Sequence, residues 1–197
     1  MKPEKTVNSP SYFRQLVADK DVAALHASSR YLVRRLMRCF PSERIRTIVE
    51  LGPGPGVATR PILASIPAEA RYLAIEKNPD FLATLGSIAD PRFTAIEGDA
   101  RDLKAILASR GVTGVDAVIA SIPFSFLDID ERAALVDSVW SLLSEDGDFV
   151  IFHQFSRKMR PFLKNRFAHV RVQFEPRNIF PCFLLHGRKR PRTHKDL

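Results

Sequence analysis

The sequence predicts an α/β domain, an open and mostly parallel sheet with helices on both faces. Three observations predict it. From Arg46 onward, short β-type runs alternate with helical ones, the pattern of strands joined by helical crossovers. A loop of glycine and proline, Gly52-Pro53-Gly54-Pro55-Gly56, joins the first strand to the first of these helices. The last two β-type runs have no helix between them, so an antiparallel edge is expected.

The elements follow in order. Residues 10–40 read as mostly helical and carry no strand signal. Arg46 to Leu51 is a buried-strand pattern, followed by the glycine loop and a helical stretch to about Ile66. Arg71 to Glu76 is the second strand. Asn78 can cap the next helix, and Pro79 suits its first position. Phe93 to Ile96 is a short third strand, with a helix from about Asp102. Val115 to Ser121 is the fourth strand; Asp130 to Leu143 is an amphipathic helix that Gly147 is expected to end. Asp148 to Gln154 is the fifth strand, and a basic helix follows over Arg157 to Arg166. Phe167 to Phe174 and Phe180 to His186 can form a hairpin. The organisation is therefore a helical basic segment (1–45), a core (46–187) and a basic tail (188–197), the tail read as solvated.

A chain of 197 residues is enough for one sizeable core. Its hydrophobic fraction of 45% and charged fraction of 26% exclude disorder over most of its length. Two cysteines, Cys39 and Cys182, make neither a disulfide framework nor a four-thiolate zinc site, and no metal is expected. The first ten residues lack the apolar core of a secretion signal. The longest charge-free stretch, Ala117 to Leu127, falls far short of the ~20 residues of a membrane span. These features predict a cytoplasmic protein without transmembrane helices.

The net charge of +8 is segregated. Residues 1–47 hold ten Lys/Arg against four Asp/Glu (+6), residues 48–156 eight against sixteen (−8), and residues 157–197 twelve against two (+10). An acidic middle suits a ligand with positive charge. Basic ends suit a polyanion, either nucleic acid or an anionic bilayer.

The middle also carries the sharpest motif. Glycines after a strand let a ligand approach the backbone at the carboxyl end of an open sheet. Glu76, twenty residues after Gly56, can accept both hydroxyl protons of a ribose, as the acid of a dinucleotide fold does. The spacing here, however, is G-x-G-x-G. Glu50 stands at the mouth of the loop, where it would repel a pyrophosphate and attract an ammonium. A nucleoside with an amino-acid end and a cationic sulfur fits, which is S-adenosylmethionine. The third strand ends in Glu97-Gly98-Asp99-Ala100, where Asp99 can accept from an adenine amino group. The cofactor set expected is Glu50, Gly52, Gly54, Gly56, Glu76, Lys77, Gly98, Asp99, Ala100 and Ser121. Ser121-Ile122-Pro123-Phe124 closes the fourth strand beside the expected methyl donor.

Residues 46–154 resemble the class I S-adenosylmethionine-dependent methyltransferase core. That resemblance implies a Rossmann-like sheet of seven strands with the last antiparallel. Within the class the chain resembles small bacterial phospholipid N-methyltransferases, which convert phosphatidylethanolamine stepwise to phosphatidylcholine. The matching pieces are His26-Ala27-Ser28-Ser29-Arg30, the run from Glu50 to Leu63, Ile75 to Phe81, Glu97 to Ala100, Ser121 to Phe124, Gln154-Phe155, and Arg177 to Pro181. His26 and Phe180 stand where that family often has proline.

The resemblance implies a phospholipid acceptor and a peripheral position on the inner face of the cytoplasmic membrane, with no nucleic acid as partner. Arg157 to Arg171 interleaves six basic residues with Met159, Phe162, Leu163 and Phe167, a pattern that can lie in the headgroup plane. Tyr12 to Val17 offers a second apolar stripe; Leu32 to Phe40 reads as a stripe packed on the sheet. Ser121 can hold the acceptor amine, His153 can take its proton, and Tyr31 and Arg30 can face the lipid phosphate. Ile122, Pro123, Phe124 and Gln154 complete the acceptor set, with Phe124 as an aromatic wall for a quaternary ammonium. Two rival functions fit part of the pattern. An rRNA adenine dimethyltransferase shares the glycine loop, but it has Asn at the position of Ser121 and a C-terminal RNA-binding domain. A cofactor-binding membrane-surface protein without turnover is the other.

Overall fold

The computed structural model describes residues 29–154, 157–177 and 181–190. Its strands are β1 (Thr47–Leu51), β2 (Arg71–Glu76), β3 (Phe93–Glu97), β4 (Val115–Ala120), β5 (Leu143–Gln154), β6 (His169–Glu175) and β7 (Cys182–Arg188). They form one sheet in the order β3-β2-β1-β4-β5-β7-β6. The pairs among β1 to β5 are parallel, and β7 runs antiparallel to both β5 and β6. The predicted Rossmann-like sheet of seven strands is present, with one difference. The antiparallel strand β7 lies between β5 and β6 instead of at the edge, so the edge strand β6 again points the same way as β1 to β5. The carboxyl ends of all strands except β7 therefore share one side of the sheet, as does the amino end of β7.

Alternation along the strands divides the core in two. Val49 and Leu51 of β1, Val118 of β4 and Phe149 and Ile151 of β5 face α4 (Leu103–Ala108), α5 (Ile129–Leu142) and α6 (Arg160–Arg166). Ile48, Tyr72, Ala117, Ile119 and Val150 face α1 (Ser29–Met37) and α2 (Thr59–Leu63). The alternation puts Glu50 on the second, equally apolar face. Helix α3 (Pro79–Leu85) starts as expected, with the Asn78 side chain accepting from Asp80 N at 2.9 Å and Pro79 in the first turn.

The structure corrects several expectations. Helix α5 starts on a reciprocal capping box, Asp128 with Glu131, and ends because Leu143 turns extended. Gly147 does not end it; it lies in an irregular stretch where five residues of β5 pass two of β4. Apolar residues of the basic helical segment are core: Met159, Leu163 and Phe167 are buried. That stripe packs on the sheet and is closed to a bilayer. Leu32, Val33, Leu36 and Phe40 are buried as expected. The tail boundary at 188 is too early. Arg188 ends β7, buried against Asp148, and Lys189 donates to the Leu143 carbonyl at 2.7 Å over the Trp140 ring. Tyr12 to Val17 lies outside the described residues.

Candidate active site

The glycine loop leaves β1 at its carboxyl end. Gly52 and Gly54 adopt φ of +69° and +57°, a region open to glycine at little cost. A Cβ on Gly52 would meet the Ile122 side chain at 2.7 Å, whereas one on Gly54 would meet nothing within 4 Å. The loop is thus pressed against the end of β4 at Gly52 and open at Gly54, where a ligand can reach its backbone.

Beneath the loop, Glu50 is fully buried. Its Oε2 accepts from Thr59 Oγ1 at 2.6 Å and from the Tyr72 hydroxyl at 2.8 Å, while its buried Oε1 has no partner. Burial pushes the carboxyl up to about 7 against the pull of those two hydroxyls. A buried carboxylate without a cation is costly. A cationic ligand placed at Oε1 would remove that cost.

Glu76 ends β2 and is also buried. Its Oε1 accepts from the backbone N–H groups of Lys77 and Asn78, both at 2.8 Å, and its Oε2 accepts from Gly54 N at 3.0 Å. This carboxylate fixes the open corner of the loop and retains acceptor capacity for a hydroxyl. Asp99 follows β3. It takes Lys77 Nζ at 2.9 Å and the Arg101 guanidinium at 2.8 and 3.0 Å, and the Arg101 bonds, first among the causes, hold its carboxyl well below the usual range. It also caps the turn that begins at Ala100, accepting from Arg101 N. Gly98 N bonds the Glu76 carbonyl at 3.0 Å, tying the ends of β2 and β3 together.

Ser121 sits where β4 leaves the sheet beside β1. Its N–H donates to the Leu51 carbonyl at 3.0 Å, and its hydroxyl donates to the Gly52 carbonyl. With its proton so committed, the Oγ faces any incoming group as an acceptor, the polarity that suits an amine N–H. Ile122 is half-buried against Gly52 and Pro123 is exposed. Phe124, expected as an aromatic wall, is buried in the core, and its carbonyl accepts from Arg132. The exposed apolar residues beside it are Phe126 and Ile129. His153 and Gln154 pair through their backbones with Phe183 and Cys182 at the end of β5; their side chains, like that of Arg30, lie outside the described residues.

A further buried acid, missed in the sequence, lies at the end of β6. Glu175 is fully buried and binds two guanidinium groups, Arg177 at 2.8 and 3.1 Å and Arg35 of α1 at 2.9 Å. Arg177 also covers the Tyr31 ring, 4.5 Å from its centroid. Thus Tyr31 meets β6 through a cation. Glu175 and Asp196 are the only acids after residue 156, a signal that marks Glu175 as paired. Thr59 and Tyr72, which hold Glu50, carried no comparable signal.

A parallel sheet whose glycine loop and strand-end acids gather on one side is the architecture of class I S-adenosylmethionine-dependent methyltransferases. No protein-family model matches the chain. It is 33% identical over 163 residues to the ornithine lipid N-methyltransferase of Singulisphaera acidiphila, covering 82% of this chain and 85% of that one. It is 38% identical over 97 residues to ribosomal RNA small subunit methyltransferase A of Caulobacter vibrioides, covering 48% of this chain and 35% of that one. Its fold matches the N-methyltransferase NodS of Bradyrhizobium japonicum with a TM-score of 0.68 at 13% identity, over 84% of this chain and 98% of that one. NodS with bound S-adenosyl-L-homocysteine matches with a TM-score of 0.67 at 13% identity, over 82% and 87%. The chain belongs to the family of the ornithine lipid N-methyltransferase, within the class I S-adenosylmethionine-dependent methyltransferases. Its cofactor is S-adenosylmethionine.

Proposed function

We propose that the chain N-methylates the primary amine of a membrane lipid headgroup, phosphatidylethanolamine and then its mono- and dimethyl forms, towards phosphatidylcholine. The observation that carries a lipid acceptor is the extent of the likeness. The similarity to a lipid N-methyltransferase runs over 82% of the chain, whereas that to an rRNA methyltransferase covers 48%. The motifs from Ser121 to Phe124 and from Arg177 to Pro181 support phosphatidylethanolamine. The 33% identity supports an ornithine lipid as a second reading.

The residues at the strand ends fit the cofactor. Glu50 Oε1 would take its ammonium, Glu76 the ribose hydroxyls, and Gly54 would let it lie against the backbone. The adenine would lie near Gly98, Asp99 and Ala100, with Lys77 holding Asp99 in place. When bound, S-adenosylmethionine supplies an electrophilic methyl group, so the protein's task is to orient and desolvate. The attacking amine must be neutral. In the first two transfers Ser121 Oγ would accept an N–H of the amine and turn the nitrogen lone pair towards the loop, and His153 would take the proton released; the neutral dimethyl form has no N–H, and its lone pair attacks with no proton to remove.

Membrane docking would use the carboxyl edge of the sheet. Ile129 is 70% exposed, and Phe126 and Phe174 are each 47% exposed. Arg157, Lys158 and Arg160 are exposed on the segment following β5. Apolar groups ringed by cations suit an anionic bilayer, each cation contributing on the order of 1 kcal/mol. No helix among the described residues is long and apolar enough to cross a membrane. The test supplies labelled S-adenosylmethionine with vesicles of phosphatidylethanolamine, vesicles of ornithine lipid, or rRNA. Label in phosphatidylethanolamine is expected. Label only in ornithine lipid shifts the acceptor, and label only in RNA ends the lipid reading.

A further inference from the structure

We propose that Arg177 and Arg35, held on Glu175, form the site that grips the anionic group of the acceptor headgroup. The inference rests on the lipid-amine reading above and adds to it the residues that select the acceptor.

The cluster at Glu175 has a surplus of positive charge. One buried carboxylate calls for one cation, yet Glu175 carries two. Arg177 binds it through Nε and one terminal nitrogen, and its own backbone N–H donates to the same Oε1 at 3.1 Å. Arg35 binds Oε2 through Nε and reaches Gln173 at 3.3 Å through Nη1. The Arg177 bonds, working against burial and helped by Arg35, hold the acid at about 2, so it is ionised throughout the physiological range. The cluster thus holds a net positive charge at every working pH.

Its geometry is fixed before a ligand arrives. The Arg177 fork is locked by its two bonds to Glu175 and packed over the Tyr31 ring. It is nevertheless 58% exposed, and N–H groups on its outer edge remain for an anion. A guanidinium in that state matches a carboxylate or a phosphate with two parallel hydrogen bonds. Its place in the fold decides which ligand it meets. Glu175 pairs with Cys182 of β7, which pairs with Gln154 at the end of β5. The cluster therefore stands at the same edge as Ser121, on the side of β5 away from the glycine loop. In the proposed pose the amine of the headgroup points towards Ser121 and its anion towards Arg177, across the ends of β5 and β7. Phosphatidylethanolamine offers a phosphodiester; an ornithine headgroup offers a carboxylate.

The test measures methylation of three acceptors in neutral detergent micelles: phosphatidylethanolamine, ornithine lipid, and a long-chain alkylamine with no anion. For Arg177→Ala, KM for whichever lipid the wild type uses is expected to rise at least tenfold, with the main effect in KM and not in kcat. KM for the alkylamine should stay within twofold. Arg177→Lys, which keeps the charge and loses the fork, should recover part of the affinity. Calorimetric affinity for S-adenosylmethionine reports that each variant folds. A wild-type enzyme that uses a lipid, with Arg177→Ala showing an unchanged KM, overturns the anion site alone. Equal losses on lipid and alkylamine assign Arg177 a purely structural role and also overturn it. A wild-type enzyme that methylates neither lipid overturns the acceptor reading and the anion site with it.

Discussion

Glu50 and Glu175 are both fully buried carboxyl groups, one near the end of β1 and the other at the end of β6, and they are treated in opposite ways. Glu50 has two hydroxyl donors, no cation and an oxygen with no partner, and burial raises it to about 7. Glu175 has two guanidinium groups and is lowered to about 2. A buried acid short of charge partners is completed by a cationic ligand. One with a surplus presents cations to an anionic ligand. On the proposed reading, the same side-chain type prepares one half of the edge for S-adenosylmethionine and the other for a lipid headgroup.

The largest effect is expected at the cofactor half. Glu76→Ala removes a carboxylate that anchors Gly54 and is proposed to meet the ribose, and should weaken S-adenosylmethionine binding at least ~100-fold, given about 1.5–3 kcal/mol for each charged hydrogen bond. Unchanged affinity in calorimetry would refute the ribose placement.

Glu50 gives a signed pH dependence. Its folded value of about 7 lies above the ordinary 4.5, so the folded apo-protein holds a proton that the unfolded chain has released. The stability it contributes is complete below pH ~4.5 and is lost as pH rises towards 7, a fall of about 3 kcal/mol. Glu50→Gln should flatten that slope in urea unfolding followed by Trp140 fluorescence. Binding of S-adenosylmethionine at pH 6 should release a proton from the wild type. Calorimetry in buffers of different ionisation heat detects it, and the variant should show none.

At the acceptor half, Glu175→Ala leaves Arg35 and Arg177 facing each other without an anion. A loss of about 2 kcal/mol is expected, partly restored by added salt. Unchanged stability would show that Glu175 does not hold the two guanidinium groups together. Ser121→Ala removes the proposed acceptor of the amine N–H, and kcat/KM for the lipid should fall about tenfold, corresponding to ~1.4 kcal/mol. The smallest effect belongs to the rim. Ile129→Ser should reduce flotation with anionic vesicles about threefold, in line with loss of one side chain from a shared contact. Equal flotation with neutral vesicles in high salt would count against the docking edge.

Much of this was legible in the sequence because it is local. The strand-helix alternation, the Asn78-Pro79 start of α3 and the glycine loop are written in neighbouring residues. Glu50 was singled out by its place before the loop. Its burial follows from the alternation of β1, but its partners Thr59 and Tyr72 follow only from how α2 and β2 pack. The pairing of Arg35 with Glu175 spans 140 residues and exists only once α1 crosses the sheet. Phe124 and Phe126 show the limit of composition. Two aromatics, two positions apart, divide between core and rim because a short helical turn directs one inward. For the same reason the stripe of Met159, Leu163 and Phe167 was legible as apolar, while the surface it covers was not.

The bond from the Ser121 hydroxyl to the Gly52 carbonyl joins the two halves at the strand crossover between β1 and β4. On one side of that rivet a sulfur nucleoside would enter and leave by way of the open corner at Gly54; on the other, the proposed anion site would keep the headgroup tethered through its negative end. The donor can then be exchanged between transfers without returning the half-finished lipid to the bilayer. Such an enzyme would work processively, and in a pulse of label the fully methylated lipid would emerge before its monomethyl precursor accumulates.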